Sequence, residues 1–138
     1  MNTSLGFKMD RKTQRSWVFK IIYQLEFNTF DRLNLSKVLA QHQLEASGFI
    51  YDSILSILDN LTKIDALIDK YTLNQSQAKI SKVDQAILRT SINEFAVEKS
   101  VPVSVSINEA VELAKMYSKD DAYKFINGVL SSVAKDLP

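Results

Sequence analysis

Residues that break helices are almost absent from this chain: glycine occurs only as Gly6, Gly48 and Gly128, and proline only as Pro102 and Pro138. Folds rich in β-structure use glycine and Asn-Gly pairs at their many reversals. A chain this poor in both is expected to form helices joined by polar turns. Its 46% apolar and 24% charged residues are sufficient for a packed core. At 138 residues the chain fits one domain, which on folding buries roughly two thirds of its unfolded surface.

Several function classes are excluded early. Without cysteine there is no disulfide framework, no thiolate metal site and no cysteine nucleophile. No run approaches the ~18 consecutive apolar residues of a membrane span, and the N-terminus lacks the layout of a secretory signal. The expected address is therefore the cytoplasm, with no membrane partner. The net charge of +1 creates no global field, so a nucleic acid would have to be held by a local concentration of Lys and Arg.

Apolar periodicity predicts the elements. Trp17, Val18, Ile21, Ile22 and Leu25 form one stripe of a helix running from Asp10 to Phe27, after a frayed start at Met1–Phe7. Asn34 or Ser36 caps a short helix containing Val38, Leu39 and Leu44. Ser47-Gly48 interrupts. The pattern from Ile50 to Leu73 reads as the longest, central helix, with room for a bend. Polar Asn74–Lys79 marks a boundary between an N-terminal helical subdomain (8–78) and a C-terminal one (79–138). Ser81 and Asp84 stand at N-cap and N3 spacing ahead of Val83, Ile87, Leu88 and Phe95, while small Ala86 and Ser91 let another helix approach. Pro102 among Val101, Val103 and Val105 reads as an extended connector. Ser106-Ile-Asn-Glu109 then reads as a capping box starting a helix that ends near Ser118, and Asp120 or Asp121 starts the last one. The fold class expected is all-α, a compact bundle of six to seven helices in two packed subdomains.

Catalytic chemistry finds no foothold. The single histidine, His42, has no nucleophile arrangement around it, and Asp65 and Asp69, one helical turn apart, lack the Glu-x-x-His partner of a helical metal site. Asn127-Gly128 lies inside a helical pattern, where the glycine is expected to permit close approach of a helix or a ligand. Three glycines cannot build a phosphate loop. The expectation is a protein that is not an enzyme and needs neither cofactor nor metal.

One constellation points to binding. Lys8, Lys12, Arg15, Phe19 and Tyr23 advance by steps of four, three, four and four along the first helix, placing cations and rings on one edge. Cations meet phosphates and rings stack on bases, the combination used for single-stranded RNA. The plainer alternative is a solvated helix edge with Phe19 partly packed.

Read as strings, VDQAILR (83–89), NEF (93–95), VPV (101–103), INEAVELAK (107–115) and KFINGVL (124–130) resemble, in order and spacing, the NusB family of transcription antitermination factors. Ile21-Ile-Tyr-Gln24 after basic residues extends the resemblance toward the N-terminus. The resemblance implies a two-subdomain helical fold that pairs with the small-subunit ribosomal protein NusE and holds boxA RNA of ribosomal RNA leaders. It also implies RNA-facing roles for Arg11, Lys12, Arg15 and Tyr23, and for Asp121, Lys124, Phe125 and Asn127, with Asp84 at the protein partner. The chain departs from the family's denser arginine run, since Asp10, Thr13 and Gln14 intervene and lysine replaces arginine. Lysine lacks the bidentate phosphate geometry of arginine, so weaker and less salt-sensitive RNA binding is expected. Two other readings compete: a homodimeric assembly module that has lost RNA binding, and an RNA methyltransferase domain, against which stands the lack of a cofactor-binding α/β region before Pro138.

Overall fold

The computed structural model describes residues 9–72 and 80–138. Lys8, the start expected to fray and the boundary placed at Asn74–Lys79 lie outside these residues. Among the described residues there are seven α-helices and no strand: α1 (Arg11–Gln24), α2 (Leu35–Ala40), α3 (Gly48–Asp59), α4 (Leu61–Thr72), α5 (Lys82–Ile92), α6 (Val103–Tyr117) and α7 (Ala122–Lys135). A π-helical turn, Asn93–Val97, continues α5. The all-α expectation holds.

Helix α5 is the hub, packing against α1, α3, α4, α6 and α7. Its Ile87, Leu88 and Ile92 are fully buried, each contributing about 1.5–3 kcal/mol by leaving water. Its start follows the sequence reading, since the Asp84 amide donates to Ser81 Oγ at 3.1 Å. Ser91 meets α6 through a 2.8 Å contact between its hydroxyl and that of Ser106, the close approach that a small residue allows. Arg89 joins three segments: its guanidinium forks onto Asp65 of α4 at 2.9 Å on each side and reaches Glu26 after α1 at 2.7 Å. Asp65 is thus engaged in a bidentate ion pair between helices.

Four boundaries differ from expectation for local reasons. The central helix is split, because Asn60 leaves helical geometry at φ −120° and its side-chain amide donates to the Ser56 carbonyl at 2.8 Å, ending α3. Its own carbonyl accepts from Ile64 at 2.9 Å and opens α4. Periodicity hides this break because both segments bury one face in a single core. Helix α1 stops at Gln24, and Glu26 and Phe27 close tighter turns onto Tyr23 and Gln24. Leu44 lies beyond α2, returned to the core by Gln43 at φ 57° and a bond from its amide to the Leu39 carbonyl. Gly48, at φ 86°, provides the backbone freedom to turn into α3 after Ser47.

The largest correction concerns α6. It starts at Val103 behind extended Pro102, which lacks an amide proton and sits well at a helix entrance. Val103 and Val105 are therefore helical rather than part of an extended connector. Ser106 is fully buried inside the first turns, so the Ser106–Glu109 pair is no capping box. Both side chains are used by tertiary contacts instead.

Candidate nucleic-acid interface

Helix α1 is capped by Asp10, whose carboxylate accepts the Thr13 amide at 2.8 Å. That backbone hydrogen bond, with a smaller attraction from Lys12, holds the Asp10 carboxyl below the usual range. Arg11 next lays its guanidinium 3.9 Å from the centre of the Phe49 ring on α3, leaving its outer face open.

The following cations meet carboxylates. Lys12 Nζ lies 3.1 Å from Glu109 Oε1 on α6. Arg15 Nε donates to Glu94 Oε2 at 2.6 Å, and its Nη1 lies 3.7 Å from the same Glu109 oxygen. The second oxygen of Glu94 accepts from Ser106 Oγ at 2.8 Å. The π turn helps to place Glu94 here: the Glu98 amide bonds back five residues to the Asn93 carbonyl at 2.8 Å, and the widened turn carries Glu94 and Phe95 inward. Two cations thus face two carboxylates, and this part of the basic edge is electrically balanced by the fold.

Arg15 and Phe19 do not form a surface as the spacing implied. The Arg15 and Glu94 side chains are 6% and 2% exposed, and Phe19 is 3% exposed. On the helical wheel both α1 residues fall in the arc of Val18 and Ile22. The steps of four and three track a boundary, and here the core takes Phe19 while Trp17 stays half-buried. Arg15 is accordingly a buried structural cation and Phe19 a core residue.

A different surface forms farther along α1. Lys20 Nζ stands 5.1 Å from the Trp17 ring and 5.8 Å from Tyr117 at the end of α6. Tyr23 lies 5.0 Å from Phe27, edge to face, and Lys82 at the start of α5 stands 5.3 Å from Phe27. Phe27 is 56% exposed, and Tyr117 and Met116 are also exposed. Of these residues only Tyr23 belongs to the basic-aromatic edge expected from the spacing. Lys20, Tyr23 and Phe27 do share an i, i+3, i+7 edge, a signal that was available, whereas Lys82 and Tyr117 arrive only through tertiary packing.

The remaining candidates lie in the first turn of α5, at the α6–α7 turn and on α7. Ser118 Oγ donates to Asp84 at 2.7 Å, tying the turn to the first turn of α5. Asp84 is 8% exposed and so engaged, leaving little of it for the protein-partner role the resemblance implied. Asp121 precedes α7 without a side-chain cap bond. Asp121, Lys124 and Asn127 are exposed, while Phe125 is half-buried against the core. Gly128 is also exposed, and a Cβ added there meets nothing within 4 Å. No neighbouring helix therefore requires that glycine. His42 is occupied by Gln24 at 3.2 Å and by the Trp17 ring at 5.4 Å. Among the described residues no cluster of three or more His, Asp or Glu is placed to hold a metal, and no helix is long and apolar enough to cross a membrane.

Comparisons with known proteins identify the fold and the family. The NusB family model matches residues 12–135. The transcription antitermination protein NusB of Natranaerobius thermophilus is 40% identical over 135 residues, 94% of this chain and 97% of that one. A solved T. maritima NusB superposes with a TM-score of 0.81 at 34% identity, covering 95% of this chain and 94% of that chain. The fold recurs, at 24% identity and a TM-score of 0.74, in a crystal structure of antitermination factors NusB and NusE with double-stranded RNA, covering 91% of this chain and 96% of that chain. With such identity sustained across nearly the whole length of both chains, the protein described here belongs to the NusB family.

Proposed function

We propose that this chain is a non-enzymatic, cytoplasmic transcription antitermination factor that pairs with NusE and holds single-stranded, boxA-like RNA. The observation that carries the reading is the strip of rings and ammonium groups formed by Lys20, Tyr23, Phe27, Lys82 and Tyr117. Rings exposed beside cations suit a strand whose bases stack while its phosphates are neutralised. The antitermination role of the relatives supports the reading, and Lys124 and Asn127, exposed on α7, offer a further cation and amide.

The test is a titration of a boxA-like RNA with the purified protein, with and without NusE. Phe27→Ala and Tyr117→Ala are each expected to lose about 1–3 kcal/mol of binding if a base stacks there. Lys20→Gln is expected to flatten the dependence of log affinity on log salt by about 0.7. Absence of RNA binding under both conditions rejects the reading. Exposed Phe27, Met116 and Tyr117 also favour a second reading, self-association through this face. Sedimentation across concentrations separates the two, and Lys20→Glu with unchanged RNA affinity favours the homodimer.

A further inference from the structure

We infer that Glu109 is an internal competitor for RNA phosphate, holding Lys12 in reserve at the balanced end of the interface. This rests on the RNA-binding reading above and adds the residue that sets how much of α1 the RNA engages.

Three observations support the assignment. First, Glu109 is shared: one oxygen lies 3.1 Å from Lys12 and 3.7 Å from Arg15, and its side chain is 25% exposed. Arg15 is already neutralised by Glu94 at 2.6 Å. If Lys12 leaves, Glu109 keeps the longer 3.7 Å approach to Arg15, whose charge it shares with Glu94, and its part-exposed carboxylate stays open to solvent. Second, the Lys12 side chain is 62% exposed, so it can swing outward without opening the core. A hollow of about 70 Å³ lined by Lys12, Arg15, Ser16, Glu109, Glu112 and Met116 lies beside the pair and leaves room for water there. Third, Lys12 stands eight residues before Lys20 on one helix, about 12 Å along its axis. RNA bound along the strip and continuing toward the α1 N-terminus reaches Lys12.

An incoming phosphate must then displace the Glu109 carboxylate to gain the Lys12 ammonium. Lys12 then displaces cations condensed on the RNA, but the carboxylate it leaves behind draws cations back, so the net release is small. The fold thus conceals one cation, in addition to the arginines that the sequence lacks.

The experiment is RNA titration in the presence of NusE between about 50 and 200 mM salt, comparing wild type, Glu109→Gln, Lys12→Gln and the double variant. Glu109→Gln is expected to bind about two- to fivefold tighter, the range of an exposed ion pair, with a salt slope steeper by about 0.7. In the Lys12→Gln background the same substitution is expected to change neither quantity. Glu109→Asp keeps a charge near Arg15 but shortens the reach toward Lys12; it is expected to shift binding in the same direction and serves if the glutamine variant fails to fold. Wild-type binding with unchanged affinity and slope in Glu109→Gln overturns this inference alone. So does a gain that persists without Lys12. Absence of RNA binding by both wild type and variant overturns the functional reading and this inference together.

Discussion

Replacing Arg15 with methionine isolates the role the fold gives it. The substitution keeps much of the aliphatic stem but leaves the Glu94 carboxylate in a site where its side chain is 2% exposed, with only the 2.8 Å bond from Ser106 Oγ. Stranding one member of a buried ion pair costs about 3–5 kcal/mol, a large share of the roughly 5–15 kcal/mol that holds a domain together. Unfolding entropy near 2.1 cal/mol/K per residue amounts to roughly 0.3 kcal/mol/K for 138 residues, so the melting temperature should fall by about 10–17 °C. Adding Glu94→Gln removes the stranded charge while keeping an acceptor for Ser106, and should restore about 2 kcal/mol or more. Urea unfolding of wild type, both single variants and the double variant measures these terms. A loss below about 1 kcal/mol for Arg15→Met, or a double variant as unstable as the sum of the singles, would refute the buried-pair account. RNA binding by folded Arg15→Met should retain the wild-type salt slope. A slope flatter by about 0.7 would instead identify Arg15 as a phosphate contact.

Gly128→Ala should raise stability by about 0.5–1 kcal/mol in thermal unfolding, because the added methyl meets open space and alanine loses less chain entropy in a helix; destabilisation would mean that something packs there. Partial desolvation of the otherwise exposed Glu98, together with Asp52 and Glu94 and against an opposing bond from Asn93, raises its carboxyl above the ordinary value of 4.5. The contribution of protonated Glu98 is therefore fully present below about pH 4.5 and lost as pH rises through the elevated folded value. Glu98→Gln should thus be the more stable protein at pH 7, by less than about 1 kcal/mol because water screens the group, with the difference vanishing in acid. A pH series of urea midpoints in which the advantage is constant would reject that assignment.

The candidate site was only partly legible in the sequence, and its misreadings share a cause. Spacing places residues on an edge but does not say how far the core extends around the helix. Lys12 and Tyr23 remained accessible, whereas Arg15 and Phe19, on the same edge, turned inward because Glu94 and the core met them there. Glu94 was invisible as a partner because its position depends on a π turn, a backbone irregularity without an apolar signature. Ser106 and Glu109 had the right spacing for a local cap but found stronger partners on α5, the π turn and α1.

Local chemistry was enough to determine the all-helical character, the start of α5 at Ser81, the end of α6 at Ser118 and the family resemblance. Each depends on residues within a few positions of one another, on the scarcity of breakers or on a string read in order. Tertiary structure alone decided which cations are free. An ammonium or guanidinium group has the same sequence signature whether it faces water or a carboxylate 97 residues away, as Lys12 faces Glu109. Coulomb attraction depends on distance in space, and only the packing of α6 and the π turn against α1 sets that distance.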